Sequence, residues 1–263
     1  MPKRKIEIIH KAPGLVIINK PAGISVTKDR SGTDDLLTLL RRQLPDEANL
    51  RLVHRLDKFT SGVMIIATSP ESQSKLSSMF EKQLIKKTYL AIVTGFVANQ
   101  TGIINAPLAH SRKNPQLMRV DRKRGKPALT RYRLLADFGL AALLAVEPLT
   151  GRTHQIRVHL AENGMPLAVD PLYASNRTIM LSNFKSGFTF KKGWTETPLI
   201  DRLTLHAYRI KITSGELTDS EYIAPPDKKF AATIKMLTKH NSKGPEAFLN
   251  KDHFSAILSA RPF

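Results

Sequence analysis

The chain has no cysteine in 263 residues, which excludes a thiolate nucleophile, disulfide staples and cysteine-ligated structural zinc. A chain of this length can instead bury a substantial core, as one large domain or two small ones. Long apolar runs are also missing. The longest, Leu140 to Val146, falls far short of the roughly 20 residues a membrane-spanning helix needs. The start, Met1-Pro2-Lys3-Arg4-Lys5, is basic but leads into Ile6-Glu7-Ile8-Ile9-His10, a strand-like alternation without the apolar core and cleavage site of a secretory signal. These absences predict a soluble, cytoplasmic protein with no membrane association.

Acidic residues are scarce: 22 against 41 lysines and arginines, a formal charge of +19. Such an excess repels itself in the folded state and suits a polyanionic partner. No strongly amphipathic basic helix points to a lipid surface, so nucleic acid is the expected partner. The charge concentrates between 110 and 133, where Arg112, Lys113, Arg119, Arg122, Lys123, Arg124, Lys126, Arg131 and Arg133 face one acid, Asp121. Interrupted by Pro115, Gly125 and Pro127, this stretch reads as a long loop or hairpin whose like charges repel unless phosphates lie between them. The plainer alternative is a solvated charge run. No metal site is expected: His154 and His159 are five apart, where a zinc pair on one helical face needs four. Both histidines read as ordinary hydrogen-bonding groups.

Periodicity and punctuation predict the elements. Residues 6 to 19 read as two short strands around Ala12-Pro13-Gly14. Thr33-Asp34-Asp35 starts a helix that ends by Pro45, and Pro70 starts another reaching Gln83. Val63 to Thr68, Lys87 to Thr94 and Leu203 to Ile212 read as strands. So does Ala141 to Glu147, although its leucines and alanines alone suggest a helix. Thr153 to Asn163 reads as a helix closed by Gly164, and Lys229 to His240 as a C-terminal helix, followed by a linker and tail.

The stretch of greatest interest is His54-Arg55-Leu56-Asp57-Lys58-Phe59-Thr60-Ser61-Gly62, running into Val63-Met64-Ile65-Ile66-Ala67. The Thr-Ser-Gly turn puts Asp57 on a loop feeding a buried strand, where catalytic groups concentrate. By itself an isolated aspartate in such a loop more often accepts backbone hydrogen bonds or pairs with a neighbour such as Arg55. The kinase reading of His54 to Asp57 with Asp137-Phe138-Gly139 fails, because a leucine separates the arginine from the aspartate and no metal-binding asparagine or glycine-rich loop accompanies it.

The nine residues resemble the catalytic motif of pseudouridine synthases of the RluA type, which isomerise uridine to pseudouridine in structured RNA. Other pieces agree in order: Asn19-Lys20-Pro21-Ala22-Gly23, Lys87-Thr88-Tyr89, Gly151-Arg152-Thr153-His154-Gln155-Ile156-Arg157-Val158-His159, and Leu205-His206-Ala207. The resemblance implies an α+β fold with a central, largely antiparallel mixed sheet, flanking helices and an active-site cleft across the sheet. It implies a catalytic domain over 1–230, with a helix and tail of unknown role over 231–263. Asp57 is implied as the catalytic carboxylate, Tyr89 as the ring stacking on the flipped base, and Arg157 as the cation that pairs with Asp57. Arg55 would fill the stack vacated by the base or contact a phosphate. Asn19, Lys20, His54, Lys87, Arg122, Lys123, Arg124 and Arg152 complete the expected RNA surface. Val169-Asp170-Pro171-Leu172-Tyr173 departs from the family's usual Gly-Asp, leaving Asp170 and Tyr173 as supporting residues. The expected protein is a monomer without cofactor, metal or protein partner, acting on ribosomal or transfer RNA, with recognition by the catalytic domain and its insertions. An RNA-binding protein that has lost catalysis and a nucleoside hydrolase using Asp57 are the competing classes. The intact Asp57, Tyr89 and Arg157 set speaks against the first, and the basic surface against the second.

Overall fold

The structure is a computed structural model that describes residues 5–28, 33–47, 49–174, 178–185, 187–189, 193, 195–214 and 219–241. The expected tail beyond the last helix lies outside the described residues. The chain divides into two compact units, the first drawn from Met1–Thr88 and His206–Pro226, the second from Tyr89–Leu205 and Asp227–Phe263.

In the first unit, β1 (Glu7–Ala12) and β2 (Leu15–Lys20) form an antiparallel hairpin. Its turn uses Gly14 at φ 86°, a conformation that glycine adopts without steric cost. Helix α1 (Leu36–Gln43) starts where the Asp35 side chain accepts from the Thr38 N–H. Strand β3 (Arg51–Leu52) and strand β2 both pair antiparallel with β4 (Ser61–Ala67), all of whose residues are buried. Helix α2 (Pro70–Glu81) opens on a Ser69–Ser72 capping box with proline in its first turn. These caps satisfy N–H groups that a helix start otherwise leaves open.

The chain enters the second unit along β5 (Ile85–Thr94), which pairs antiparallel with β10 (Ala141–Pro148) from Ala141↔Thr94 to Val146↔Tyr89. Strand β9 (Leu129–Asp137) lies between β10 and the outer strand β6 (Thr101–Asn105). Every residue of β10 from Ala141 to Glu147 is buried, and burial on both faces removes the need for polar alternation. That is why its leucines and alanines serve a strand. The basic stretch forms a small hairpin, β7 (Leu108–His110) with β8 (Met118–Val120). Leu108, Met118 and Ala128 seat it on Val158 of helix α3 (Gln155–Glu162). In the first unit again, β11 (Leu205–Ile212) runs parallel to β4 through His206↔Ser61 and antiparallel to β12 (Glu221–Ile223). Helix α4 (Lys228–Asn241) ends the described chain. The class is α+β, with antiparallel pairing predominant. Among the described residues no helix is long and apolar enough to cross a membrane.

Candidate active site

Asp57 is half-buried on the loop between β3 and β4, and its neighbours are pinned one by one. Its own carbonyl accepts from the Thr60 N–H at 3.1 Å, closing the turn, and the Lys58 carbonyl accepts from the Gly23 N–H at 2.8 Å. The Lys20 ammonium, fully buried, donates to the Lys58 and Pro21 carbonyls at 3.1 and 3.0 Å. The Asn19–Gly23 loop is thereby fastened to the Asp57 loop. Gly62 follows at φ 118°, where a Cβ would collide with the Ala207 carbonyl, so no other residue fits there. Ser61 Oγ and Nδ1 of His206 are 2.9 Å apart, and Nε2 of His206 is 2.9 Å from the Ala224 carbonyl. A carbonyl only accepts, so Nε2 carries the proton and Nδ1 accepts from the serine.

Three expected RNA contacts bond to other groups of the protein. Lys20 lies where no phosphate reaches its ammonium. Asn19 donates to the Glu7 carboxylate at 2.9 Å and the Pro225 carbonyl at 3.2 Å. Nε2 of His54 accepts from the Ile65 N–H at 2.9 Å, and its ring rests on Phe80 with centroids 4.6 Å apart. Burial, with the charge of Lys87 adding to it, pushes the His54 pKa down to about 3. A neutral ring holds no phosphate by charge. Lys87 is partly buried with Nζ 5.6 Å above the Phe80 ring, and burial lowers its pKa. Arg55 and Phe59 are exposed beside Asp57.

In the second unit, Tyr89 is buried on β5 opposite Val146. Arg157, on α3, donates through Nε and Nη2 to the two oxygens of Asp170 at 2.8 and 2.7 Å. Such a two-pronged grip fixes the plane of the guanidinium. The same carboxylate accepts from the backbone N–H groups of Leu172 and Tyr173. The Val169 departure is accommodated with its N–H and carbonyl bonded to Thr204. His154, at φ 52°, precedes α3 and bonds through Nδ1 to the Tyr173 hydroxyl at 2.8 Å. His159 is buried between Thr130 Oγ1 and the Ala106 carbonyl, and burial lowers its pKa. Both histidines are hydrogen-bonding groups, as their spacing suggested.

Arg122, Lys123 and Arg124 are exposed on a turn built by Asp121. Its Oδ1 accepts from the Lys123 and Arg124 N–H groups at 3.1 and 3.0 Å, and Oδ2 pairs with Arg119 at 2.6 Å. The backbone bond from Arg124 is foremost among the causes that lower the Asp121 pKa. Arg152 is exposed, with Nε donating to the Pro127 carbonyl at 3.0 Å. The lone acid of the basic stretch therefore presents its cations outward. Among the described residues no three histidine, aspartate or glutamate side chains group as metal ligands.

Sequence reasoning quoted Ser61, His206 and Asp170 within motifs but missed their partners, the Ser61–His206 bond and the Arg157–Asp170 grip. The intact Leu205-His206-Ala207 piece marked His206, but only its parallel register with Ser61 says what it holds.

A family model described as RNA pseudouridylate synthase matches residues 14–162. The ribosomal large subunit pseudouridine synthase C of Vibrio parahaemolyticus is 34% identical over 235 residues, covering 89% of this chain and 70% of the relative. The protein of the same name from Vibrio vulnificus is 34% identical over 206 residues, or 78% of this chain and 61% of that one. The chain thus spans 61% to 70% of the length of these relatives. In structure, human RNA pseudouridylate synthase domain containing 1 superposes with a TM-score of 0.70 at 22% identity, over 100% of this chain and 98% of that one. At that identity the likeness speaks for the fold.

Proposed function

Because the chain belongs to the RNA pseudouridylate synthase family, enzymes that isomerise uridine in RNA, we propose that it converts specific uridines of structured RNA to pseudouridine, with large-subunit ribosomal RNA the first substrate to test. Ribosomal RNA is preferred to transfer RNA because the relatives are named for the ribosomal large subunit. In this reading residues 1–230 form the catalytic domain, and the protein works in the cytoplasm as a monomer.

The reaction breaks the bond from N1 of uracil to C1′ of ribose and forms one from C5 to C1′. The C5 hydrogen leaves as a proton and N1 gains one. Atoms and electrons balance within the nucleotide, so no cofactor or co-reactant is included. The target must leave the helix to expose the ribose, and the unstacking is offset by stacking and edge contacts in the protein. Asp57 is assigned as the reacting carboxylate, nucleophile or base, and Tyr89 as the aromatic partner of the base. Arg157, whose Nε and Nη2 are given to Asp170, is assigned as the cation of the reacting centre. Arg55, Lys87, Arg152 and the 122–124 turn are assigned to RNA. Lys20 and His54 hold the loops from within, and Asn19 ties β2 to Glu7 and Pro225.

The observation that carries the reading is the fastening of a half-buried carboxylate. Lys20, Gly23, Thr60, Ser61 and Gly62 hold the Asp57 loop from both sides, the preorganisation that a reacting group requires. Asp57→Asn keeps shape and hydrogen bonding but cannot act as nucleophile or base. It should leave RNA affinity nearly intact while tritium release from carbon-5-tritiated uridine falls about 100-fold or more. Activity within about 10-fold of the parent, less than the loss of a catalytic group predicts, sinks the assignment.

A further inference from the structure

Three pieces of the second unit converge on Tyr173. Its hydroxyl accepts from the backbone N–H of Met118 at 2.8 Å and shares a 2.8 Å hydrogen bond with Nδ1 of His154. Its ring lies against the Arg157 guanidinium, with Cζ 5.1 Å from the centroid, and packs on the cluster of Leu108, Met118, Ala128 and Val158. Asp170, which grips Arg157, also accepts from the N–H of Tyr173.

Met118 opens β8, the return strand of a hairpin whose far end carries the exposed cations Arg112 and Lys113. One phenol therefore touches the basic hairpin through its oxygen and the buried arginine through its face. Phenylalanine would serve an apolar role equally well; a hydroxyl bonded on two sides indicates alignment. His154 adds to this, since it holds a left-handed backbone and makes no side-chain cap on its own helix. Such a conformation is unfavourable for a residue with a Cβ, and its imidazole is spent on Tyr173.

We propose that Tyr173 is a positioning residue that couples the seating of the β7–β8 hairpin on RNA to the orientation of Arg157. The inference rests on the reading of Arg157 as part of the reacting centre. Phosphates drawn to Arg112 and Lys113 set the hairpin, the Met118 N–H carries its position to the phenol oxygen, and the ring sets the face of a guanidinium whose edge Asp170 already holds.

Tyr173→Phe keeps the ring against Arg157 and removes both hydroxyl bonds. At saturating transcript, single-turnover tritium release should fall about tenfold, while the RNA Kd stays within about twofold of the parent. A hairpin that is merely loosened behaves the opposite way, weakening Kd and sparing the saturating rate. His154→Asn, which tolerates the left-handed backbone, should reproduce the fall, and the double variant should be no slower than either single one. Thermal melts show that the variants are folded; if Tyr173→Phe is not, His154→Asn carries the test. A saturating rate unchanged in the folded variants, or a loss confined to Kd, overturns the coupling while the parent still turns over. A parent without tritium release overturns the underlying reading and this inference with it.

Discussion

Arg157 and Asp170 are an ion pair taken almost wholly out of water, with side-chain exposures of 6% and 0%. Desolvating two charges costs several kcal/mol per ion, and only good geometry and further hydrogen bonds offset it. Here the carboxylate receives two guanidinium N–H bonds and two from the backbone of Leu172 and Tyr173. Removing one partner strands the other, so Asp170→Ala should destabilise the fold by about 3–5 kcal/mol. Asp201→Ala, which breaks the exposed pair with Lys229, should cost about 1 kcal/mol or less. Urea denaturation of the two variants makes the comparison. Equal midpoints would mean that the buried pair contributes no more than a surface one.

Among the elements, β4 depends on a side chain from outside the sheet, because His54 supplies the acceptor for the Ile65 N–H and leans on Phe80 of α2. The imidazole must stay neutral to accept, in line with a pKa lowered from 6.5 to about 3. The unfolded chain binds a proton at His54 below its ordinary value, whereas the folded one does not until far lower. The contribution is therefore fully present above pH 6.5 and is lost as the pH falls from there toward 3. His54→Gln keeps an acceptor without the titration. Its stability should fall less steeply over that window than the parent's, by up to about 1.4 kcal/mol per pH unit. Chemical denaturation at a series of pH values measures this, and parallel curves would remove His54 as the source.

For the molecule as a whole, an excess of 19 positive charges predicts RNA binding that weakens steeply with salt, through release of counterions from the phosphates. The outward turn held by Asp121 localises part of that charge. Replacing Arg122, Lys123 and Arg124 with alanine should lower the log–log salt slope by about two, at roughly 0.7 to 0.9 for each phosphate contact. The saturating rate should be unchanged, since these residues take no part in the chemical step. If the cations only face solvent, affinity drops a little and the slope barely moves. A salt titration of parent and triple variant on one transcript separates the two.

The sequence by itself determined whatever depends on local pattern. Proline and serine placed the start of α2, alternation and apolar runs placed β1, β2 and β4, and colinear motifs identified the family. Charge alone singled out 110–133 and nominated nucleic acid. The resemblance also nominated Lys20, Asn19 and His54 as RNA contacts, because a motif carries no information on which way a side chain turns. Tertiary structure decided that Lys20 and His54 turn to internal partners, where a buried ammonium and a neutral imidazole satisfy backbone groups of the Asp57 loop and of β4, while Asn19 bonds Glu7 and the Pro225 carbonyl in exposed contacts. It also decided that Asp170 grips Arg157 and that Ser61 meets His206, partners separated by 13 and 145 positions in the chain. No local periodicity encodes such pairs. They exist because burying a charge or a hydroxyl is costly unless a partner with matching geometry arrives from elsewhere in the chain, and that partner is chosen by the packing of strands and helices.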